Sequence, residues 1–290
     1  MIWELDFYSR PILDENNKKR WELLICEAPL TVNQSLEGLF RYSVFCSSQT
    51  VNSIWLRENI EKAIAESGEF PQKIRFFRRQ MNNMIVKACE DAGIVPAPSR
   101  RTYALNHWLD QRIAEFYPEQ PGYDEKAAQS ASVQYPDLNA VALPDAVRGD
   151  RGDKWAFVSL NASDFADMAE WDIAFGEAFP LSLANIDPQT KIPGLIVFSV
   201  RALPLAGWIS GLELGYLQYE SGERPIIRLE TGASDSWILA SLNSKDQTTI
   251  AEAEGFDRTK EKANQVHFLA VQSDPQAETF AGFWLLQGVT

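Results

Sequence analysis

The residues of this chain best suited to chemistry are three carboxylates and one run of basic side chains. Asp6 stands on a predicted first strand, with Glu58 and Glu61 on a predicted helix. Carboxylates that converge on two cations about 4 Å apart would support metal-dependent phosphodiester cleavage. The next strand should then supply another carboxylate, but Lys73-Ile74-Arg75-Phe76-Phe77-Arg78 offers lysine and arginine instead. The ordinary alternative for Asp6 is a strand-end carboxylate paired with Arg10 or Arg20. Metal-dependent nuclease is therefore the weakest functional reading. No phosphate-binding glycine loop, dinucleotide fingerprint, H-E-x-x-H or G-x-S-x-G elbow occurs in the sequence. The only histidines, His107 and His267, lie in different predicted domains, and Cys26, Cys46 and Cys89 have no C-x-x-C spacing. These five residues offer no converging zinc ligands, so neither a metal nor a cofactor is expected and the chain reads as a non-enzyme. An odd number of cysteines in apolar stretches suits a reduced, intracellular protein.

The basic run is residues 73–101, where Lys73, Arg75, Arg78, Arg79, Lys87, Arg100 and Arg101 face only Glu90 and Asp91, a net of +5. Phe76, Phe77 and Tyr103 interleave or flank it. Arginine beside exposed aromatics is the usual equipment for single-stranded RNA, the rings stacking bases while cations hold phosphates. The alternative makes Phe76 or Phe77 core and the arginines a solvated rim, and on the residues alone it is favoured. Overall charge argues the same way. The chain carries −13, all of it beyond residue 117: residues 1–117 hold 15 Lys and Arg against 15 Asp and Glu, the remainder 12 against 25. Such an excess repels nucleic acid and anionic membranes unless the contacting surface is local and basic.

The elements that must position these residues fall into two domains, as 290 residues suggest. In 1–117, Ile2–Arg10 alternates, with Trp3, Leu5 and Phe7 on one face and Glu4, Asp6 and Tyr8 on the other. A turn at 14–17 reverses the chain into a strand over Arg20–Glu27, and Phe40–Cys46 is a third strand. Val51 to Ile64 shows helical spacing closed by Gly68, Lys73–Arg78 is a fourth strand, and two helices follow around Met81–Cys89 and Leu105–Phe116. Three antiparallel strands, a crossover helix and a parallel fourth strand match ribonuclease H-like folds, a topology the right-handed crossover rule favours. Residues 118–153, with Pro118, Pro121, Pro136 and Pro144, read as a linker or surface excursion. A second α/β domain with a mixed sheet is expected over 154–290. There Leu212–Gln218, Pro225–Thr231, Ser236–Leu242, a helix near Asp246–Lys262 and Val266–Val271 repeat the first order, which leaves a divergent duplication open. The most apolar stretch, Ile192–Leu217, is broken by Pro193, Arg201, Pro204 and Glu213, so no membrane insertion is expected.

Several blocks carry a resemblance. Trp3-Glu4-Leu5-Asp6-Phe7-Tyr8-Ser9-Arg10-Pro11-Ile12, then Lys19-Arg20-Trp21-Glu22-Leu23, is similar to the N-terminal signature of the Tab family of chloroplast and cyanobacterial translation activators for photosystem biogenesis. Leu143-Pro144-Asp145 through Gly152, Lys154, Trp155, Ala156, Phe157 and Val158 resembles the opening of that family's C-terminal domain. Trp284-Leu285-Leu286 matches the ending associated there with RNA binding. The resemblance implies a non-catalytic protein that binds A/U-rich RNA and promotes translation of photosystem I messages. The implied partners are the message leader and, beyond it, the ribosome or photosystem assembly factors. Candidate RNA contacts are Trp284, Leu285 and Leu286 from the resemblance, with Arg75, Arg78, Arg79, Arg100 and Arg101 from the charge. Because the sequence opens on the signature, a cyanobacterial, cytoplasmic version is expected. The competing reading is a photosystem assembly or scaffolding protein that recognises protein partners through its acidic half.

Overall fold

A computed structural model describes residues 1–128, 139–149 and 152–288. The chain divides into two units, Met1–Ala28 with Leu36–Tyr135, and Pro29–Ser35 with Pro136–Thr290.

The first unit runs β1 (Ile2–Leu13), β2 (Lys19–Glu27), β3 (Arg41–Cys46), α1 (Ser53–Ser67), β4 (Lys73–Phe76), α2 (Asn82–Asp91), β5 (Val95–Pro98) and α3 (Tyr103–Gln111). A π-helical turn at Arg112–Phe116 extends α3, and the short α4 (Glu125–Ala128) follows. The sheet order is β3-β2-β1-β4-β5, with β1 to β3 antiparallel and β4 and β5 added parallel to β1. The expected three-strand, helix, strand core is present. Strand β5 is an addition to the expected elements; its Pro96 and Pro98 are tolerated because β5 is an edge strand with one side free of pairing. Local chemistry sets the ends of α1. The Asn52 side chain accepts from Trp55 N at 2.9 Å, and Gly68, at φ 72°, supplies the left-handed residue that closes it.

Alternation along β1 divides this sheet into two unlike faces. Trp3, Leu5 and Phe7 pack with Leu23, Ile25 and Ile74 under Leu56, Ile60 and Ala63 of α1 and Ile85, Ala88 and Cys89 of α2. The opposite face carries Glu4, Asp6, Arg10, Glu22 and Arg75, none more than 3% exposed. Helix α3 and the turn after it close that polar face, as their bonds to Glu4 and Glu22 show.

The second unit contains β6 (Val141–Ala142), β7 (Lys154–Asn161), β8 (Ile173–Glu177), β9 (Lys191–Phe198), α5 (Ala202–Ser210), β10 (Leu214–Glu220), β11 (Ile226–Thr231), β12 (Asp235–Ser241), α6 (Gln247–Lys262), β13 (Val266–Gln272) and β14 (Phe280–Gln287). Two sheets result, β10-β11-β12-β6 and the mixed β7-β9-β13-β14-β8. The antiparallel β10-β11-β12 meander, α6 and β13 fall where the sequence placed them, but the duplication does not follow. In the first unit the returning strand pairs with β1. Here β13 lies between β9 and β14 in the other sheet, with both edges used and all seven residues buried. Its side chains fill cores on both faces, which leaves no edge for β10.

The apolar stretch 192–217 divides into β9, α5 and the start of β10; Pro204 is tolerated in the first turn of α5. Among the described residues no helix is long and apolar enough to cross a membrane. The expected excursion 118–153 lies partly outside the described residues. Its described parts are tied to their neighbours: Leu13 N donates to Gly122 O at 2.7 Å, Asp124 N to Pro11 O at 2.9 Å, and β6 pairs with β12.

Candidate functional site

Asp6 leaves β1 on the polar face, whereas α1 packs on the apolar face. Glu58 and Glu61 therefore stand across the sheet from it, exposed, with Glu61 3.5 Å from Arg57. The structure does not bring the three carboxylates together. Instead Asp6 is held by two arginines: Arg78 donates from Nε to Oδ1 at 2.7 Å and from Nη2 to Oδ2 at 3.1 Å, and Arg10 Nη1 lies 2.9 Å from Oδ2. Arg10 Nε also donates to Glu22 at 3.0 Å, and Glu22 accepts from Arg112 and, at 2.5 Å, from Tyr117 Oη. Burial alone would raise the Asp6 pKa, but the charges and hydrogen bonds of Arg10 and Arg78 hold it below its ordinary value. Ionised and fully engaged, Asp6 is a structural anion. Glu4 has a similar role, accepting from Leu105 N at 2.7 Å in the first turn of α3, where the helix dipole favours a negative charge.

The same packing disposes of most of the predicted basic cluster. Arg75, Arg100 and Arg101 are at most 4% exposed, on or against the polar face. Arg78 is spent on Asp6 and lies over the Tyr8 ring at 4.0 Å, so its removal would disturb the fold rather than leave it intact. Phe76 and Phe77 are core. Of the five candidate arginines, Arg79 alone is exposed, and it makes no ion pair among the described residues. The other four expected phosphate contacts lie inside or are engaged by Asp6. Sequence charge was right about where arginine concentrates and silent about the face it occupies.

Trp284, Leu285 and Leu286 are likewise inside, at 3%, 0% and 0% exposure, in the middle of β14. Trp284 and Leu286 pack into the core formed with Leu205, Ala206 and Leu217, while Phe283, on the other face, stacks on Phe268 at 5.0 Å. The Trp284 ring lies over Gly282, where any Cβ would collide with it. As folded, this tryptophan offers no face to a base, and the structure places all three residues in the core. The histidines are also structural. His267 accepts from Leu217 N at Nε2, 2.8 Å, and its Nδ1 lies 2.8 Å from Gln265 O, which fixes the neutral tautomer with the proton on Nδ1. Burial, then the nearby Lys260, pushes its pKa well below 6.5. Lys260 completes this lock by donating to Leu217 O at 2.9 Å. His107 contacts Gln111 on α3. The three cysteines are unpaired, and burial pushes Cys89 up to about 12, far from a reactive thiolate. Among the described residues no group of three His, Cys, Asp or Glu side chains is placed to hold a metal.

Free positive charge gathers elsewhere, at the β2–β3 margin of the first sheet. Lys18, Lys19, Arg20 and Arg41 make no ion pair among the described residues. Strand β3 is an edge strand; Tyr42, Val44 and Cys46 pack on the apolar core, which turns Arg41, Ser43 and Phe45 to the other face. There the Arg20 guanidinium lies 4.5 Å over Phe45. Phe45 is nearly parallel to Phe116, at 16° and 6.5 Å between centroids, and Arg112 lies 3.9 Å over Phe116. Arg41 lies 5.4 Å over Trp108. Sequence reasoning missed this arrangement because its residues come from three separate segments. The alternation of β3 was the one available signal.

These features define a two-unit mixed α/β protein whose buried carboxylates Glu4, Asp6 and Glu22 are committed to structure and in which Lys18, Lys19, Arg20 and Arg41 share one sheet margin with half-buried aromatics. Residues 2–112 match a family model described as RNA-binding protein Tab2/Atab2 N terminal, and residues 130–287 match one described as RNA-binding protein Tab2/Atab2, C-terminal domain. The chain is 36% identical over 290 residues to the protein TAB2 homolog, chloroplastic, of Arabidopsis thaliana, covering 98% of this chain and 74% of that protein. It is 34% identical to the protein of the same name from Zea mays, covering 98% and 70%. This chain belongs to the Tab2/Atab2 family of RNA-binding proteins. Both relatives are named chloroplastic, which overturns the expected cytoplasmic location and points to the plastid.

Proposed function

We propose that this protein binds A/U-rich single-stranded RNA without cleaving it and thereby promotes translation of photosystem subunit messages, with the ribosome or assembly factors as further partners. The observation that carries the reading is the match of both halves of the chain to an RNA-binding family. Two physical facts support it. The carboxylate best placed for nuclease chemistry is neutralised by Arg10 and Arg78. Lys18, Lys19, Arg20 and Arg41 gather within residues 1–117, whose net charge is zero, rather than in the acidic remainder. The test is binding of the purified protein to short A/U-rich and unrelated RNAs at two salt concentrations, with magnesium present. Tighter binding of the A/U-rich strand, a log-affinity that falls by about 0.7 per neutralised phosphate and intact RNA at the end support the reading. Absence of binding, or cleavage, contradicts it.

The second reading, a scaffold for photosystem assembly, is favoured by the 12 Lys and Arg against 25 Asp and Glu beyond residue 117. Affinity for RNA that vanishes at physiological salt, together with capture of basic protein partners, would support it instead.

A further inference from the structure

From the column Arg20–Phe45–Phe116–Arg112 and the unpaired cations beside it, we infer that the β3 margin of the first unit is a stacking site for an unpaired RNA base, with the adjoining phosphates held along β3. This rests on the RNA-binding reading and names where it is exercised.

The column is asymmetric. Arg112 forms its buried end and is fixed by Glu22, whereas Arg20 is its outer end and makes no ion pair among the described residues. The Arg20 guanidinium lies 4.5 Å from the centre of the Phe45 ring, and guanidinium planes stack nucleobases as aromatic rings do. Preorganisation adds to this. Arg20 is held over Phe45, and Phe45 is fixed by a strand whose neighbouring residues Val44 and Cys46 pack on the core, so little side-chain freedom remains to be lost on binding. Charge then gives the direction of the strand. Lys18 and Lys19 adjoin Arg20, and Arg41 lies four residues along β3 from Phe45, on the same face and about 14 Å away at the usual rise. Exposed Glu115 and Glu119 flank Phe116. Phosphates are thus expected on the Arg20 and Arg41 side, away from the Phe116 end. Sequence preference at such a site comes from stacking and strand flexibility rather than hydrogen-bond readout.

The experiment measures the affinity of the full chain for a fluorescent U-rich oligonucleotide and for its abasic counterpart. It compares the unmodified protein, Phe45→Leu, Arg20→Gln and, as a charge control, Arg258→Gln in the second unit. Phe45→Leu and Arg20→Gln are each expected to weaken binding of the base-bearing strand roughly ten-fold, the scale of one stacked base. Arg258→Gln should leave affinity unchanged, and the abasic strand should register Arg20→Gln weakly and Phe45→Leu not at all. Equal affinity of all four proteins for the U-rich strand would overturn the inference, as would equal losses on both strands, which would mean charge without stacking. If Phe45→Leu does not fold, Arg20→Gln on the two strands decides. Failure of the unmodified protein to bind any RNA is a different result, and it removes the functional reading beneath the inference.

Discussion

The polar face of the first sheet and the centre of the last sheet are both closed to solvent, but opposite chemistry holds them. In the first unit, buried Arg10 and Arg112 and the partly buried Arg78 engage Asp6 and Glu22, so the interior holds charge that is stable only while each partner is present. In the second, β14 is buried on both faces by rings and aliphatic side chains, and its polar demands are met by the backbone ladder with β13 and β8. Burying ion pairs gains little over apolar packing, because desolvation offsets the Coulombic attraction; removing one partner is nevertheless costly, since it strands the other. The first region should therefore tolerate replacement of a whole pair better than loss of one member. The second should respond to volume.

The largest effect that would sharpen this contrast is expected from Arg10→Met. It deprives both Asp6 and Glu22 of a partner, and the loss should be about 3–5 kcal/mol of unfolding free energy. Urea titration would measure it. A loss below about 1 kcal/mol would show that water reaches the network and that its charges are screened like a surface pair.

A smaller effect separates the two regions by pH. The folded His267 ring stays neutral because its pKa is depressed, whereas the unfolded ring takes up a proton below 6.5. Stability of the second unit should thus be level above that pH and fall as the pH drops below it, by up to about 1.4 kcal/mol per unit. Asp6, also depressed but from 3.8, contributes stability that persists until the pH falls below that value. After correction for the pH dependence of intrinsic amide exchange, protection should fall from pH 7 to 5 for the amides of β10 and β13 and not for those of β1, and His267→Gln should abolish the difference. A parallel loss of protection in both units would break the comparison.

How much of this was legible follows from what periodicity records. Period-two alternation in β1 and helical spacing in α1 report which residues share a face, and those elements were foreseen. Alternation does not report whether a polar face meets water or another layer. Arg75 therefore reads as an RNA contact although it is buried, whereas the pairing of Asp6 with Arg10 is among the readings of the sequence. The Trp284-Leu285-Leu286 run has no alternation because both of its faces are buried, and a continuous apolar run is what a central strand requires. Strand β5, four residues with Pro96 and Pro98, carries no alternation that would mark it, and only an edge position tolerates its prolines. The Arg20, Phe45 and Phe116 column could not be read at all, since register between distant segments exists only after folding.

The central claim is that the final tryptophan acts through the core and not through contact with RNA. Its most direct test is Trp284→Phe, with unfolding free energy and RNA affinity measured on the same preparation. The account predicts a stability loss of about 1–3 kcal/mol, the usual range for trimming a core side chain, with affinity per folded molecule unchanged. Reduced affinity at unchanged stability would contradict it and place Trp284 on the RNA.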